Sequence, residues 1–478
     1  MHRIKFGTDG WRAVIAKNFT VENVAKVSKA AALWILSNYS DPSVVIGYDT
    51  RFGGKLFAET AAKVFARNNI KVYISEGIVT TPMVSLGIIR LNAKLGVVIT
   101  ASHNSPEYNG YKLKGEYGGP LLDRDIKDVE DLIPTIDEIN LDSIYLEEEI
   151  KAGLISYFDL ENLYIEAVND SFNLKKLREN SSSFAFDAMY GSGQNVVKKL
   201  LPDIRKLHCE INPFFNGIPP EPLHRNLGEF SEMIKKSKKI TSGLAVDGDA
   251  DRIAMYDEDG EYVDSHHIML LLIHYLARYR KLKGKVVTGF SSTIKVEKLC
   301  QHYGLEVQRV KIGFKQICEV MLNEEVLVGG EESGGISVIG HIPERDGIWM
   351  GLTIWQFIIN TGKSLKELIK EVYKITGEFA FERSDLHINP QLKNEIVRNC
   401  ENREYNSFGP YKVLKVEDLD GYKFFFNEEE WVMIRPSGTE PLLRTYAEAK
   451  TSAKAGDILK KTYETIVPEE FRKIGIME

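Results

Sequence analysis

Gly243-Leu244-Ala245-Val246-Asp247-Gly248-Asp249-Ala250-Asp251-Arg252 runs four small or apolar residues into three carboxylates at alternating positions. A short apolar run bounded by polar turn residues reads as a buried strand, and the carboxylate-bearing residues as an extended loop at the strand's carboxyl end. Working outward, similar runs occur at Val44 to Gly47, Gly96 to Ile99, Phe184 to Phe186, Lys285 to Thr288 and Val326 to Val328. Longer amphipathic stretches such as Val21 to Asn38 and Lys55 to Asn68 lie between them. That alternation is the pattern of βα units around a mainly parallel sheet, and it predicts an α/β protein.

The arrangement recurs three times. One strand of each segment ends in a small-residue loop: GYDTRFGG after Ile46, DAMYGSG after Phe186 and TGFSST after Val287. A second strand comes later with another polar loop: TASHNSPEYNG from Thr100, DGDADR from Asp247 and GGEESGG from Gly329. Three similar α/β domains are expected, over residues 1–145, 146–258 and 259–376. Loops beyond the carboxyl ends of parallel strands are where such sheets bind ligands, so three domains can turn three loops toward one central cleft. Residues 377–478 read differently. An acidic, amide-rich stretch, QLKNEIVRNCENREYNSF, precedes hairpin-like segments and a closing helix from Ala453 to Ile466, which suggests a smaller fourth α+β domain.

Composition narrows the function classes. The chain has 478 residues, enough for several cores, with 43% hydrophobic and 27% charged residues. No stretch has the eighteen or so uninterrupted apolar residues of a membrane span, and the amino-terminal MHRIKFGTDGWR lacks the look of a signal or transit peptide. A cytoplasmic location without membrane association is the expectation. Cys209, Cys300, Cys318 and Cys400 are scattered without paired spacing, which fits neither a disulfide framework nor a zinc knuckle. With 61 basic against 68 acidic residues and no basic stripe interleaved with aromatics, nucleic acid is not an expected partner.

Chemistry-bearing segments stand out within this frame. In Thr100 to Lys112, a strand feeds small polar residues, and Ser102 there can project its hydroxyl as a nucleophile, with His103 and Lys112 as nearby proton-transfer groups. The same residues also make a plain turn, so spacing leaves both readings open. Asp247, Asp249 and Asp251 can aim three oxygens at one hard cation such as Mg²⁺. They also resemble the start of an EF-hand, with Glu258 at its twelfth position, but Arg252 stands where that loop needs glycine, and a strand precedes it. Glu331 and Ser333 offer a carboxylate and a hydroxyl suited to vicinal sugar hydroxyls, although Ser333 can equally cap a helix. Arg435, Ser437, Gly438, Thr439 and Arg444 combine guanidinium groups, hydroxyls and open backbone, a set suited to a phosphate dianion. Arg12, in Phe6-Gly7-Thr8-Asp9-Gly10-Trp11-Arg12, sits in a turn-rich loop from which it can reach a site or simply face solvent.

These five segments, in this order from Phe6 to Arg444, resemble the α-D-phosphohexomutase family. The resemblance implies four domains around a central cleft and an intramolecular phosphotransferase. It implies that Ser102 carries a phosphate and binds one Mg²⁺ together with Asp247, Asp249 and Asp251. Arg252 then supports the site, Arg12 and Lys112 act in catalysis, Glu331 and Ser333 hold sugar hydroxyls, and Arg435, Ser437, Gly438 and Thr439 grip the substrate's other phosphate. Where several bacterial members end the sugar loop in histidine, this chain has Gly335. The run Ile312-Gly313-Phe314-Lys315 is similar to the Gly-aromatic-Lys segment of phosphoglucomutases, which makes Lys315 a further substrate contact and tilts the expected sugar toward glucose.

The implied reaction interconverts glucose 1-phosphate and glucose 6-phosphate through a bound glucose 1,6-bisphosphate, with the protein a monomer or homodimer. Mannose specificity, dual specificity and glucosamine phosphate are the alternatives within the family. Outside it stand a sugar-phosphate phosphatase, which would release inorganic phosphate, and a sugar-phosphate-binding regulator, which would have lost the nucleophile or the aspartates.

Overall fold

A computed structural model describes residues 4–135, 139–437 and 442–469. Internal contacts divide the chain into two units, one of Met1–Val287 with Gly313–Lys370 and one of Thr288–Ile312 with Glu371–Glu478. No helix among the described residues is long and apolar enough to cross a membrane.

The first unit begins with six strands, β1 (Trp11–Val14), β2 (Ser43–Tyr48), β3 (Lys71–Ser75), β4 (Leu95–Ile99), β5 (Tyr108–Gly115) and β6 (Ile155–Phe158). They lie in the order β1-β5-β4-β2-β3-β6, with β4, β2, β3 and β6 parallel and β5 and β1 antiparallel. β4 is buried along its whole length and β2 from its second residue, as expected of strands covered on both faces. α1 (Val21–Asn38) starts where the Thr20 hydroxyl accepts from the Asn23 amide and buries an Ala-rich face with Val24, Val27 and Trp34. α2 (Gly54–Arg67) packs beside it, burying Phe57 and Phe65. Each such large apolar side chain stabilises the fold by about 1.5–3 kcal/mol.

A second sheet repeats the plan. β7 (Phe184–Asp187), β8 (Arg205–Leu207), β9 (Ser242–Val246), β10 (Ile253–Tyr256) and β11 (Tyr262–Val263) are ordered β11-β10-β9-β7-β8. β7 runs parallel to β8 and β9, and β10 returns antiparallel to β9, as β5 does to β4. The chain crosses into the second unit within β12 (Lys285–Gly289), passes through β13 (Val307–Val310), and returns for β14 (Val326–Gly330) and β15 (Ile336–Val338), another antiparallel hairpin. The three polar loops of the sequence repeat are therefore the turns of three hairpins, β4–β5, β9–β10 and β14–β15. Ser333 caps no helix, because its turn leads into a strand.

The second unit holds the smaller sheet, β16 (Ala380–His387), β17 (Ser407–Phe408), β18 (Tyr411–Lys412), β19 (Lys415–Glu417), β20 (Tyr422–Phe425), β21 (Trp431–Pro436) and β22 (Leu442–Ala449). Five of these are ordered β16-β22-β21-β20-β19, all antiparallel, and β17 pairs with β18. Alternation on β21 sends Val432 and Ile434 into a core with the helices Pro390–Glu401 and Ser452–Ile466, while Trp431 and Met433 pack with Tyr446 and Phe290. Lys423 is buried there, its amine donating to the Phe290 carbonyl at 2.6 Å and lying 4.1 Å from the Trp431 ring. Those contacts tie Thr288–Ile312 to the carboxyl-terminal sheet.

Candidate active site

Ser102 opens the turn between β4 and β5 and is 1% exposed, with φ +52°. A non-glycine residue in the left-handed region costs about 1–3 kcal/mol, so the surroundings must enforce it. They do so through Arg51. Its Nη2 donates to the carbonyls of Ser102 and Asn104 at 2.7 and 2.5 Å, and its Nη1 to those of Ser105 and Tyr108 at 2.8 and 2.9 Å. Below it, Asp49 accepts from the Arg51 amide at 2.9 Å and the Thr100 hydroxyl at 2.5 Å. The turn is thereby clamped, and the Ser102 hydroxyl donates to Asp247 Oδ2 at 2.7 Å in the second hairpin.

Such proximity depends on Gly248. A Cβ built there would lie 2.5 Å from the Ser102 carbonyl oxygen, closer than any side chain allows. Asp247, Asp249 and Asp251 are all fully buried, with one oxygen from each within 4.8 Å of the others. The Oδ1 atoms of Asp249 and Asp251 are buried without a hydrogen-bond partner among the described residues. Burial and repulsion from Asp251 and Asp249 push the Asp247 carboxyl well above the usual carboxylate range. Two orphaned hard oxygens beside a third suffering like-charge repulsion suit a divalent cation.

The outer oxygens are held by cations. Lys112 Nζ lies 2.7 Å from Asp249, 2.9 Å from Asp251 and 2.7 Å from Asp9. Burial alone would lower its pKa, but these carboxylates outweigh burial and raise it, so the amine keeps its proton. The Thr81 hydroxyl, at the start of α3 (Thr81–Arg90), donates to Asp249 Oδ2 at 2.5 Å. Arg345 Nη2 contacts Asp9 at 2.6 Å and Asp251 at 2.7 Å. Burial would raise Asp9, yet Arg345, Lys112 and Lys114 hold it well below the usual range. His103 Nδ1 sits 3.3 Å from the Ser102 hydroxyl, and burial, reinforced by Arg252, Arg12 and Lys112, keeps the imidazole well below its usual pKa and neutral.

The remaining sequence candidates divide between the two units. In the first, Arg252 pairs with Glu221 at 3.3 Å, and its amide donates to Asp247 Oδ1 at 3.1 Å. Arg12 donates to Asn104 Oδ1 at 2.6 Å. Glu331 is buried and accepts from the Gly313 amide at 3.0 Å, while Ser333 is half-buried in the same turn. Lys315 pairs with Asp123 at 2.9 Å. In the second unit, Arg435 and Arg444 face one another across β21 and β22, Arg435 pairs with Asp420 at 3.3 Å, and Arg444 Nε is buried without a partner among the described residues. Ser437 donates its amide to the Leu442 carbonyl at 2.9 Å. Gly438 and Thr439 lie outside the described residues.

Asp9, Arg51, Thr81 and Arg345 were missed by sequence reasoning. Asp9 was within reach, since it stands in the quoted amino-terminal motif. Arg345, in Pro343-Glu344-Arg345-Asp346, is marked only by charge clustered ahead of the helix Gly347–Thr361.

Comparison with known proteins gives four matches that tile the chain. They are phosphoglucomutase/phosphomannomutase domain I over residues 3–140, domain II over 162–260, domain III over 264–375 and the C-terminal domain over 396–465. A phosphoglucomutase/phosphomannomutase of Thermococcus kodakarensis is 29% identical, with 95% of this chain and 96% of the relative aligned. A phosphoglucosamine mutase of Carboxydothermus hydrogenoformans is 29% identical, with 96% and 98% aligned. The crystal structure of a candidate phosphomannomutase from Thermus thermophilus superposes with a TM-score of 0.85 at 31% identity, covering 97% of this chain and 99% of that one. Beside a buried serine and a carboxylate triad that meet across repeated α/β sheets, these matches define an isomerase-class phosphotransferase. The chain belongs to the phosphoglucomutase/phosphomannomutase family.

Proposed function

We propose that this enzyme interconverts hexose 1-phosphates and 6-phosphates, with glucose as its preferred sugar, through phospho-Ser102 and a bound glucose 1,6-bisphosphate. The observation that carries the reading is the Ser102 hydroxyl 2.7 Å from Asp247 within the carboxylate triad. Asp247, Asp249 and Asp251, with the phosphate on Ser102, would hold one Mg²⁺, which supplies neutralisation of the transferring charge.

Transfer breaks the bond between phosphorus and Ser102 Oγ as a bond to the sugar hydroxyl forms. The sugar hydroxyl gives up one proton and Ser102 takes one. Neutral His103, 3.3 Å from Oγ, would relay that proton, passing it from the attacking sugar hydroxyl to Ser102 Oγ as Ser102 leaves, and from Ser102 to the departing sugar oxygen when Ser102 attacks the other phosphate. Lys112, held protonated, stabilises charge near the metal carboxylates, and Arg12 and Arg252 add positive charge. Glu331 and Ser333 would bind sugar hydroxyls, Lys315 would reach the substrate by releasing Asp123, and the cluster of Arg435, Ser437, Gly438, Thr439 and Arg444 would grip the phosphate that stays. The bisphosphate then turns over so that its other phosphate returns to Ser102. The substrates are small hexose phosphates, and the expected setting is cytoplasmic.

Glucose preference rests on the Gly313-Phe314-Lys315 segment. Glucosamine phosphate is the second reading, favoured by the relative from Carboxydothermus hydrogenoformans. Turnover of glucose, mannose and glucosamine phosphates, each with Mg²⁺ and glucose 1,6-bisphosphate, separates them, since equal glucose and mannose rates remove the preference. Ser102→Ala should lose both turnover and incorporation of labelled phosphate, and retained turnover would sink the mechanism.

A further inference from the structure

Gly335 ends the turn between β14 and β15, and a Cβ built on it would lie 2.3 Å from Cδ and 2.9 Å from Cγ of Arg345. Those atoms sit mid-way along a side chain whose far end is pinned by Asp9 and Asp251. The near end is pinned as well. Asp346 accepts from the Tyr164 hydroxyl at 2.8 Å and the Trp349 amide at 2.9 Å, and pairs with His341 at 2.9 Å. Glu344 on the other side is held by Lys114 at 2.5 Å. The stem of Arg345 therefore has no easy alternative path, and the absence of a side chain at Gly335 is what lets the guanidinium through.

What the guanidinium reaches is a closed ring of charge. Lys112 contacts Asp9 and Asp251, and Arg345 contacts the same two carboxylates from the other side, so cation and anion alternate around four groups. We propose that Arg345 is a positioning residue that, through this ring, fixes the Asp251 carboxylate and the Lys112 amine. The role suits arginine, which holds its charge at every accessible pH and can bond two carboxylates in one plane. It rests on the metal-assisted phosphotransfer proposed above.

The test compares the full chain with Gly335→Ala, Arg345→Ala, Arg345→Lys and the Gly335→Ala/Arg345→Ala double variant. Thermal denaturation should show Gly335→Ala lowering Tm by a few degrees in the native background and having little effect once Arg345 is alanine. Additive losses would overturn the coupling. Titration with Mn²⁺, read by electron paramagnetic resonance, should show affinity weakened about 10- to 100-fold in Arg345→Ala, as for removal of other groups that orient metal ligands. Arg345→Lys should keep the fold and lose a smaller part of that affinity, and it carries the measurement if the alanine variant does not fold. Unchanged Mn²⁺ affinity in both variants overturns the positioning role. Neither readout needs turnover, so failure of the mutase reading and failure of this proposal are distinguishable.

Discussion

Glu331 shows what burial does to one carboxyl group. Desolvation raises its pKa from the ordinary 4.5 to about 7, although Arg345 opposes the rise. Between pH 4.5 and about 7, the folded state holds a proton that the unfolded chain has released, so stability falls as pH rises through that window and the full penalty stands above it. Glu331→Gln removes the titration. It should be more stable than the native protein by about 3 kcal/mol at pH 8 and equal to it near pH 4, measured by chemical denaturation at both. A constant difference at the two pH values would show that titration is not the cause. At this scale, the sequence revealed residues that lie on one contiguous segment: Ser102 and the three aspartates each come after a recognisable strand. Arg345 and Thr81 meet groups far away along the chain, and no local pattern distinguishes them from ordinary polar turn residues.

Among elements, the hairpin is the unit that matters. β4–β5 and β9–β10 approach so closely that Gly248 touches the backbone of the Ser102 turn. Gly248→Ala should push the two turns apart while leaving both sheets intact. Because a displacement of about 1 Å at reacting groups can cost about 10²-fold, we expect kcat to fall by that order with an unchanged far-UV circular dichroism spectrum. A kcat within about twofold of native would mean that the turns adjust freely. The strands were readable because burial on both faces leaves unbroken apolar runs. Pro390–Glu401 was not, although Asn389 caps it and Pro390 begins it. Its buried residues, Leu392, Ile396 and Cys400, repeat every four positions, a narrow stripe that surrounding charge and amides obscured.

For the whole molecule, chain order and packing diverge. Thr288–Ile312 belongs by contacts with Glu371–Glu478, through Phe290, Trp431 and Lys423. The expected third domain, 259–376, thus includes a segment whose contacts lie with a stretch synthesised later. Truncation after Thr376 should therefore leave Phe290 and its apolar neighbours uncovered, giving a protein that binds the dye ANS and aggregates. A monodisperse fragment with native-like melting would show instead that these residues need no carboxyl-terminal sheet.

The ion ring described for Arg345 joins residues 9, 112, 251 and 345. Chains leave the ribosome amino terminus first, so Ser102 emerges long before Asp247, Asp249, Asp251 and Arg345. Under the proposed mechanism, a nascent or prematurely ended polypeptide that carries the serine without the three aspartates can neither acquire the phosphate nor squander it on water.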